Sequence, residues 1–435
     1  MLLSLFILSF QSGAQYAYAA NIDNLAPLLP AVAMMAHKHC SLGVEPGQYP
    51  VVGANLLAAL AELLRSAKFD EKTIEAVIAA WAVAYGQLAN VLIVEEEKLY
   101  AAAEAAPNGW RGWKDFVVTR TEPENADGSI VSYYLAPKDG QGVPAYLPGQ
   151  FTTLRAEVPA RNGASAHYQP RQFTLSMPSA DGKVFRISIK RDAGIQAAAA
   201  GRATAGASAA GCCPFLSSQA EAARPAGVVS NLCHSTLKVG SVVQLAPPFG
   251  VFSMQQQAAA AAAAARSSVP IVFLAAGVGI TPCAAMIQTA LSGSKRPVSF
   301  LYGCRNGSEQ PMCAWLQSLA SSRPSQLSTR VYYSQPTPAD KLGAGYDESG
   351  RMCVAKADAK LLQLGSSETE YFICGPEGFM KHAIGALQAR GVKPERVHAE
   401  LFGSGMVQSS AAAAAAAPST PVIVKPQHVF TNPYA

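Results

Sequence analysis

The stretch Ala275-Ala276-Gly277-Val278-Gly279-Ile280-Thr281-Pro282 decides how the rest of the chain is read. It follows a short apolar run, Val269–Leu274, which predicts a buried strand. It precedes Cys283–Leu291, an apolar segment of helical character. A strand, a tight glycine turn and a helix start make a pyrophosphate cradle: the glycines admit phosphate oxygens close to the backbone, and the helix N-terminus offers free N–H groups and partial positive charge. Proline in the first turn of a helix costs no hydrogen bond, so Pro282 fits. The motif is not the three-glycine dinucleotide fingerprint, and in isolation an ordinary turn of a parallel sheet reads the same way. Its surroundings favour the cradle. Val269–Leu274, Val298–Tyr302, Thr329–Ser334 and Glu370–Cys374 read as strands, alternating with the helix-like Cys283–Leu291, Pro311–Ala320 and Phe379–Arg390. That alternation predicts a doubly wound α/β sheet, which binds ligands outside the carboxyl ends of its strands. Cys374-Gly375-Pro376-Glu377-Gly378-Phe379 follows a strand at that same end, and the chain returns through Val397–Phe402.

Upstream, from Trp110 to about Met254, the hydrophobic period falls to two. Phe116–Thr121, Ile130–Leu135, Gln150–Val158, Gln172–Ser176, Phe185–Lys190 and Val242–Leu245 read as short strands between glycine and proline turns. This predicts a small antiparallel β-barrel. One strand bears Arg171-Gln172-Phe173-Thr174. Arginine can pair with a phosphate, an aromatic can stack on a flat ring and a hydroxyl can reach a ring nitrogen, although a plain surface strand has the same composition. Gly227-Val228-Val229-Ser230-Asn231 reads as a glycine turn opening a helix, a second anion site.

Residues 1 to about 108 read as all-helical, with helices predicted over Ala31–His39, Val52–Leu64 and Glu75–Ala105. Val32, Met35 or Ala36, and His39 share one helical face, and His37 points away from it. His39 is therefore either a core histidine or a metal ligand. Tyr49 shares a stripe with Val52 and Leu56, and Glu96 extends the stripe of Leu88 and Leu92. Glu96 is either one carboxylate of a solvated run, Glu95–Glu97, or a partner that fixes the imidazole of a metal-bound histidine.

The 435-residue chain has room for two or three domains, and its net charge of +5 forms no basic block, so nucleic-acid binding is not expected. Nine scattered cysteines show no metal-ligand spacing. Leu2–Leu8 is too short to span a bilayer, and no Lys or Arg precedes Lys38, so the start is not read as a secretory signal. A cytoplasmic, monomeric protein with no membrane partner is expected. Segments rich in Ala, Gly and Ser at about 195–226, the alanines 258–265 and the tail 409–435 are expected to be disordered.

A barrel with an Arg-aromatic-hydroxyl strand, followed by Gly-Val-Gly-x-Thr-Pro and Cys-Gly-Pro, resembles the ferredoxin–NADP reductase superfamily. With Lys38-His39 and Gln48-Tyr49 in front, the chain from about Gln11 to Phe402 resembles a flavohaemoglobin, a globin fused to an FAD/NAD(P) reductase. The resemblance implies a haem-binding globin-like domain at 1–108, an FAD barrel at 109–257 and an NAD(P) domain at 266–408. It implies haem b iron on His39, with Tyr49 and Glu96 as its hydrogen-bonding partners. FAD would meet Phe151, Arg171, Gln172, Phe173, Thr174, Gly227, Ser230 and the C-terminal pair Phe402 and Gly403. NAD(P)H would meet Gly277, Val278, Gly279, Ile280, Thr281, Pro282, Cys374, Gly375 and Pro376. Phe173 and Thr174 stand where the family usually has Tyr and Ser. Relative to the family, roughly 40 residues are missing at the start. Ser12–Gln15 resembles the distal-glutamine stretch and Tyr16–Asn24 the end of that helix, which implies an open distal pocket. The implied activity is oxidation of nitric oxide to nitrate with O2 and NAD(P)H. The alternative is a haem-free FAD-dependent NAD(P)H oxidoreductase with a vestigial helical segment.

Overall fold

The computed structural model describes residues 29–160, 165–178, 181–194, 225–254 and 268–401. Leu2–Leu8, Ser12–Asn24, Cys212-Cys213, residues 195–224, the alanines 258–265, Phe402, Gly403 and the tail lie outside those residues. The chain divides into two compact units, with the boundary between Ala105 and Ala106.

In the first unit, helix α1 (Leu29–Leu42) is followed by a 3-10 turn (Pro46–Gln48), α2 (Tyr49–Ser66) and α3 (Glu71–Ala105). Pro50 lies in the first turn of α2, where no helical hydrogen bond is lost. The core is Val32, Ala36, Tyr49, Ala89 and Leu92. Small residues let the helices approach: a Cβ on Gly53 would lie 2.5 Å from the ring of Tyr85. Helix α3 holds an 18-residue window of mean hydropathy 1.8, long and apolar enough to cross a membrane by those measures. Its buried row of Ala89, Leu92 and Glu96 belongs to the packing with α1 and α2.

The second unit begins with six strands: β1 (Lys114–Pro123), β2 (Ile130–Pro137), β3 (Phe151–Val158), β4 (His167–Thr174), β5 (Phe185–Lys190) and β6 (Val242–Leu245). Their order is β4-β3-β6-β1-β2-β5, antiparallel throughout, and a bridge between Leu175 and Ile187 closes the ends into a barrel. Phe116, Leu135, Leu154, Phe185, Ile187 and Leu245 fill it. Helix α4 (Val228–Thr236) plugs that core with Val229 and Cys233.

A second sheet follows, with β7 (Ile271–Ala276), α5 (Ile280–Gly293), β8 (Val298–Cys304), α6 (Cys313–Ser322), β9 (Leu327–Tyr333), β10 (Glu348–Ser349), β11 (Glu370–Cys374), α7 (Glu377–Ala389) and β12 (Val397–Glu400). The order β10-β9-β8-β7-β11-β12 is parallel at every pair. Alternate residues serve opposite faces. Phe273, Phe300, Tyr302 and Phe372 pack with α5 and α6, while Val272, Leu301, Tyr371 and Ile373 pack with α7. The chain leaves β7 toward β8 on one side and comes back as β11 on the other. The switch point therefore falls between β7 and β11, where an open α/β sheet binds ligands.

Candidate functional site

The turn after β7 is a 3-10 turn over Gly277–Gly279, with Gly277 at φ +57°. A Cβ on Gly279 would sit 2.2 Å from the carbonyl oxygen of Cys374, and one on Gly375 would sit 2.9 Å from the Phe379 ring. The two strand-end turns are thus packed into each other, and a side chain at Gly279 would run into backbone. Tyr302 on β8 donates to the Gly277 carbonyl at 3.0 Å. Thr281 donates to the Val278 carbonyl at 3.0 Å and is buried with Ile280 and Pro282. These three shape the turn from behind, while Gly277 and Val278 stay partly exposed. Cys374 is buried, its Sγ donates to the Glu400 carbonyl, and burial pushes its thiol well above the ordinary value. It is a packing thiol and not a nucleophile. Pro376 is exposed at the start of α7.

In the barrel, β3 and β4 pair in register, Phe151 against Thr174, Thr152 against Phe173 and Thr153 against Gln172. Paired residues share a face, so Thr174 and Gln172 stand on the face of Phe151, while Phe173 packs toward the barrel core. Arg171 is exposed, two residues along β4 on the Phe173 side. Thr174 is 6% exposed. The Gly227 turn opens α4, but its own N–H is used: Gly227 donates to the Asp192 carbonyl at 3.0 Å, and Asn231 Nδ2 donates to the Asp192 and Gly227 carbonyls. Ser230 Oγ accepts from the Asp192 N–H at 3.3 Å. Phe402 and Gly403 lie outside the described residues.

In the helical unit, His39, Tyr49 and Glu96 come together from α1, α2 and α3. His39 Nδ1 lies 2.7 Å from Glu96 Oε1 and 3.0 Å from the Tyr49 hydroxyl, and Tyr49 donates to the same Oε1 at 2.5 Å. The buried row of α1 is Val32, Ala36 and Cys40, so His39 sits at its edge. Nδ1 turns inward, and Nε2 has no hydrogen-bond partner among the described residues. A proton on Nδ1, donated to the carboxylate, leaves the lone pair on Nε2. Glu96 is 2% exposed, so the solvated-run reading fails for it; Glu97 is the exposed one. Burial, then the hydrogen bond to Glu96, pushes the Tyr49 phenol far above its ordinary value and keeps it a donor. Glu96 Oε2 is buried with no hydrogen-bond partner, which costs about 1–3 kcal/mol or more. A carboxylate kept at that cost to hold one imidazole fits the donor set of a metal-binding histidine.

Two tyrosines of α3 that the sequence did not mark hold this geometry. Tyr85 donates to the Tyr49 carbonyl at 2.7 Å, and Tyr100 to the Val44 carbonyl at 2.8 Å. Their spacing from Glu96 gives no signal, because the partners lie in another helix and its approach. His37 is half-buried, and burial pushes its pKa down to about 4 against the opposing pull of Glu95.

The globin family profile matches residues 13–92, and the oxidoreductase NAD-binding domain profile matches residues 273–384. The chain is 38% identical over 391 residues to the flavohemoprotein of Chromobacterium violaceum, covering 90% of this chain and 84% of that one. It is 37% identical over 399 residues to the flavohemoprotein of Bordetella parapertussis, covering 91% and 86%. Its fold matches the flavohemoglobin of Malassezia yamatoensis, solved with bound FAD and heme, at a TM-score of 0.64 and 23% identity over 86% of this chain and 80% of that one.

Proposed function

The chain belongs to the flavohemoprotein family, and from that premise we propose that it is a nitric oxide dioxygenase drawing electrons from NAD(P)H through FAD and haem. The observation that carries this reading over a haem-free flavin reductase is the His39–Glu96–Tyr49 cluster. A reductase with a vestigial helical segment has no use for a buried carboxylate spent on orienting one imidazole. When bound, NAD(P)H, FAD and haem supply hydride donation, one-electron transfer and oxygen chemistry.

The chain's own residues supply position and polarity. Residues 1–108 would hold haem, 109–257 FAD and 266–408 NAD(P)H. His39 Nε2 would hold the iron, and the Glu96 carboxylate, with its proton donors Nδ1 and Tyr49, would make the imidazole electron-rich. Arg171 would meet a flavin phosphate, and Thr174, beside Phe151, would offer its hydroxyl to the flavin ring. The Gly277 and Gly375 turns would hold the nicotinamide nucleotide at the switch point.

His39→Ala tests the assignment. The variant is expected to lose the Soret band and keep the flavin bands. An unchanged Soret band would remove His39 from the iron, and flavin bands alone in the wild-type chain would favour the haem-free reading.

A further inference from the structure

The two halves of the second unit meet at the β1–β2 turn. Three hydrogen bonds join that turn to the loop after β8: Met312 N–H to the Glu124 carbonyl at 3.0 Å, Asp127 N–H to the Ser308 carbonyl at 3.2 Å, and Asn125 Nδ2 to the Glu309 carbonyl at 3.4 Å. The loop that receives them continues from a strand end of the nucleotide sheet. Met312 is buried there in the left-handed conformation, φ +55°. On the barrel side, the Glu124 side chain forms an ion pair with Arg186 of β5, and both side chains are buried, 6% and 9% exposed.

Arg186 begins a closed chain of hydroxyls. Its Nε donates to Ser132 Oγ at 3.1 Å, Ser132 meets Ser188 at 2.7 Å, and Ser188 meets Ser176 at 2.8 Å. Ser176 Oγ donates to the Arg186 carbonyl at 3.3 Å, and its N–H donates there at 2.9 Å. Each serine has one proton. Ser176 spends its own on Arg186, so Ser188 donates to Ser176 and Ser132 donates to Ser188. Every direction in the ring is set by the guanidinium at one end and the carbonyl at the other. Ser176 stands two residues beyond Thr174, the last residue of the strand assigned to the flavin.

We propose that Glu124 and Arg186 are positioning residues for hydride transfer: they fix the nucleotide sheet against the flavin strand, through the β1–β2 turn on one side and the serine ring on the other. This rests on the reading of β4 as the flavin strand and of the Gly277 turn as the nicotinamide turn. Hydride transfer needs the two rings in contact at a set angle, and a displacement of about 1 Å at a distance can cost about 100-fold in rate. Flavin binding and onward electron flow have no such dependence on the sheet's placement. A buried ion pair is weak evidence for stability and better evidence for a required geometry.

The test is anaerobic stopped-flow reduction of the flavin in the full chain at saturating NADH or NADPH. In Glu124→Gln the hydride step is expected to slow about 10- to 100-fold, with FAD content and dithionite reduction of the flavin unchanged. Glu124→Asp, which keeps the charge, is expected to recover part of the rate. A wild-type rate in Glu124→Gln overturns the proposal, and so does a rate that falls only in proportion to lost FAD. Should that variant not fold, Ser188→Ala cuts the ring and leaves the ion pair, and it is expected to slow the same step with FAD retained; a wild-type rate there overturns the proposal. A wild-type chain whose bound flavin is not reduced by either nucleotide overturns the functional reading itself.

Discussion

Glu96 shows what one residue's surroundings decide. Within Glu95-Glu96-Glu97 it looks like a solvated carboxylate, yet it is buried and accepts two hydrogen bonds on one oxygen. Helical spacing placed it on the stripe of Leu92, so its inward face was legible. Its partners were not, because His39 and Tyr49 come from other helices. Glu96→Gln is expected to weaken haem retention about 10- to 100-fold and to raise the iron's midpoint potential, since an amide holds the Nδ1 proton less firmly than a carboxylate does. Haem titration and a spectroelectrochemical scan measure both. Gly279 gives a second case. Its glycine was legible as a turn, but its closest contact, the Cys374 carbonyl at 2.2 Å from a built Cβ, depends on how the two strand ends pack. Gly279→Ala is expected to cost about 1–3 kcal/mol of stability in the second unit by overpacking, and to raise the KM for NAD(P)H while FAD stays bound. Melting curves and nucleotide titrations check it.

At the scale of elements, period-two and period-3.6 patterns located the six barrel strands, β7, β8, β9 and β11, and the three N-terminal helices. β5, β6 and β11 fall where the pattern puts their ends. β4 begins earlier, at His167, because its first half pairs with the polar end of β3 and buries little. The two-residue edge strand β10 has no period to read and exists only as a partner of β9. Helix α4 was legible from Gly227, while its anchoring was not. His234 donates Nε2–H to the Ile189 carbonyl at 2.9 Å, and burial depresses its pKa below the ordinary 6.5 despite that bond. An imidazole held neutral in the fold binds fewer protons than in the unfolded chain. Stability is therefore present above about pH 6.5 and is lost as pH falls below it. His234→Gln, which keeps a donor without titrating, is expected to flatten the loss of melting temperature between pH 7.5 and pH 5 in the second unit, as followed by flavin fluorescence. An unchanged slope would remove His234 from that loss.

At the scale of the whole molecule, each unit has its own core, so haem release and flavin release are expected to follow separate thermal transitions, read at the Soret band and by flavin fluorescence. The order of modules was legible from the Gly277 stretch and the Arg171 strand, because those motifs are local and their chemistry needs particular residues at particular steps. The joint between barrel and sheet was not, because Glu124, Arg186, Ser308 and Met312 are scattered along the chain and meet only in the fold. In the proposed function, electrons entering at the nucleotide turn leave at an iron held by His39. Nitric oxide consumption in air-saturated buffer, started by NAD(P)H, tests it most directly. Rapid loss of nitric oxide is expected, with nitrate formed and one electron spent per molecule consumed, and this activity is expected to be lost in His39→Ala while NAD(P)H still reduces the flavin. Equal nitric oxide consumption by wild type and His39→Ala would contradict it.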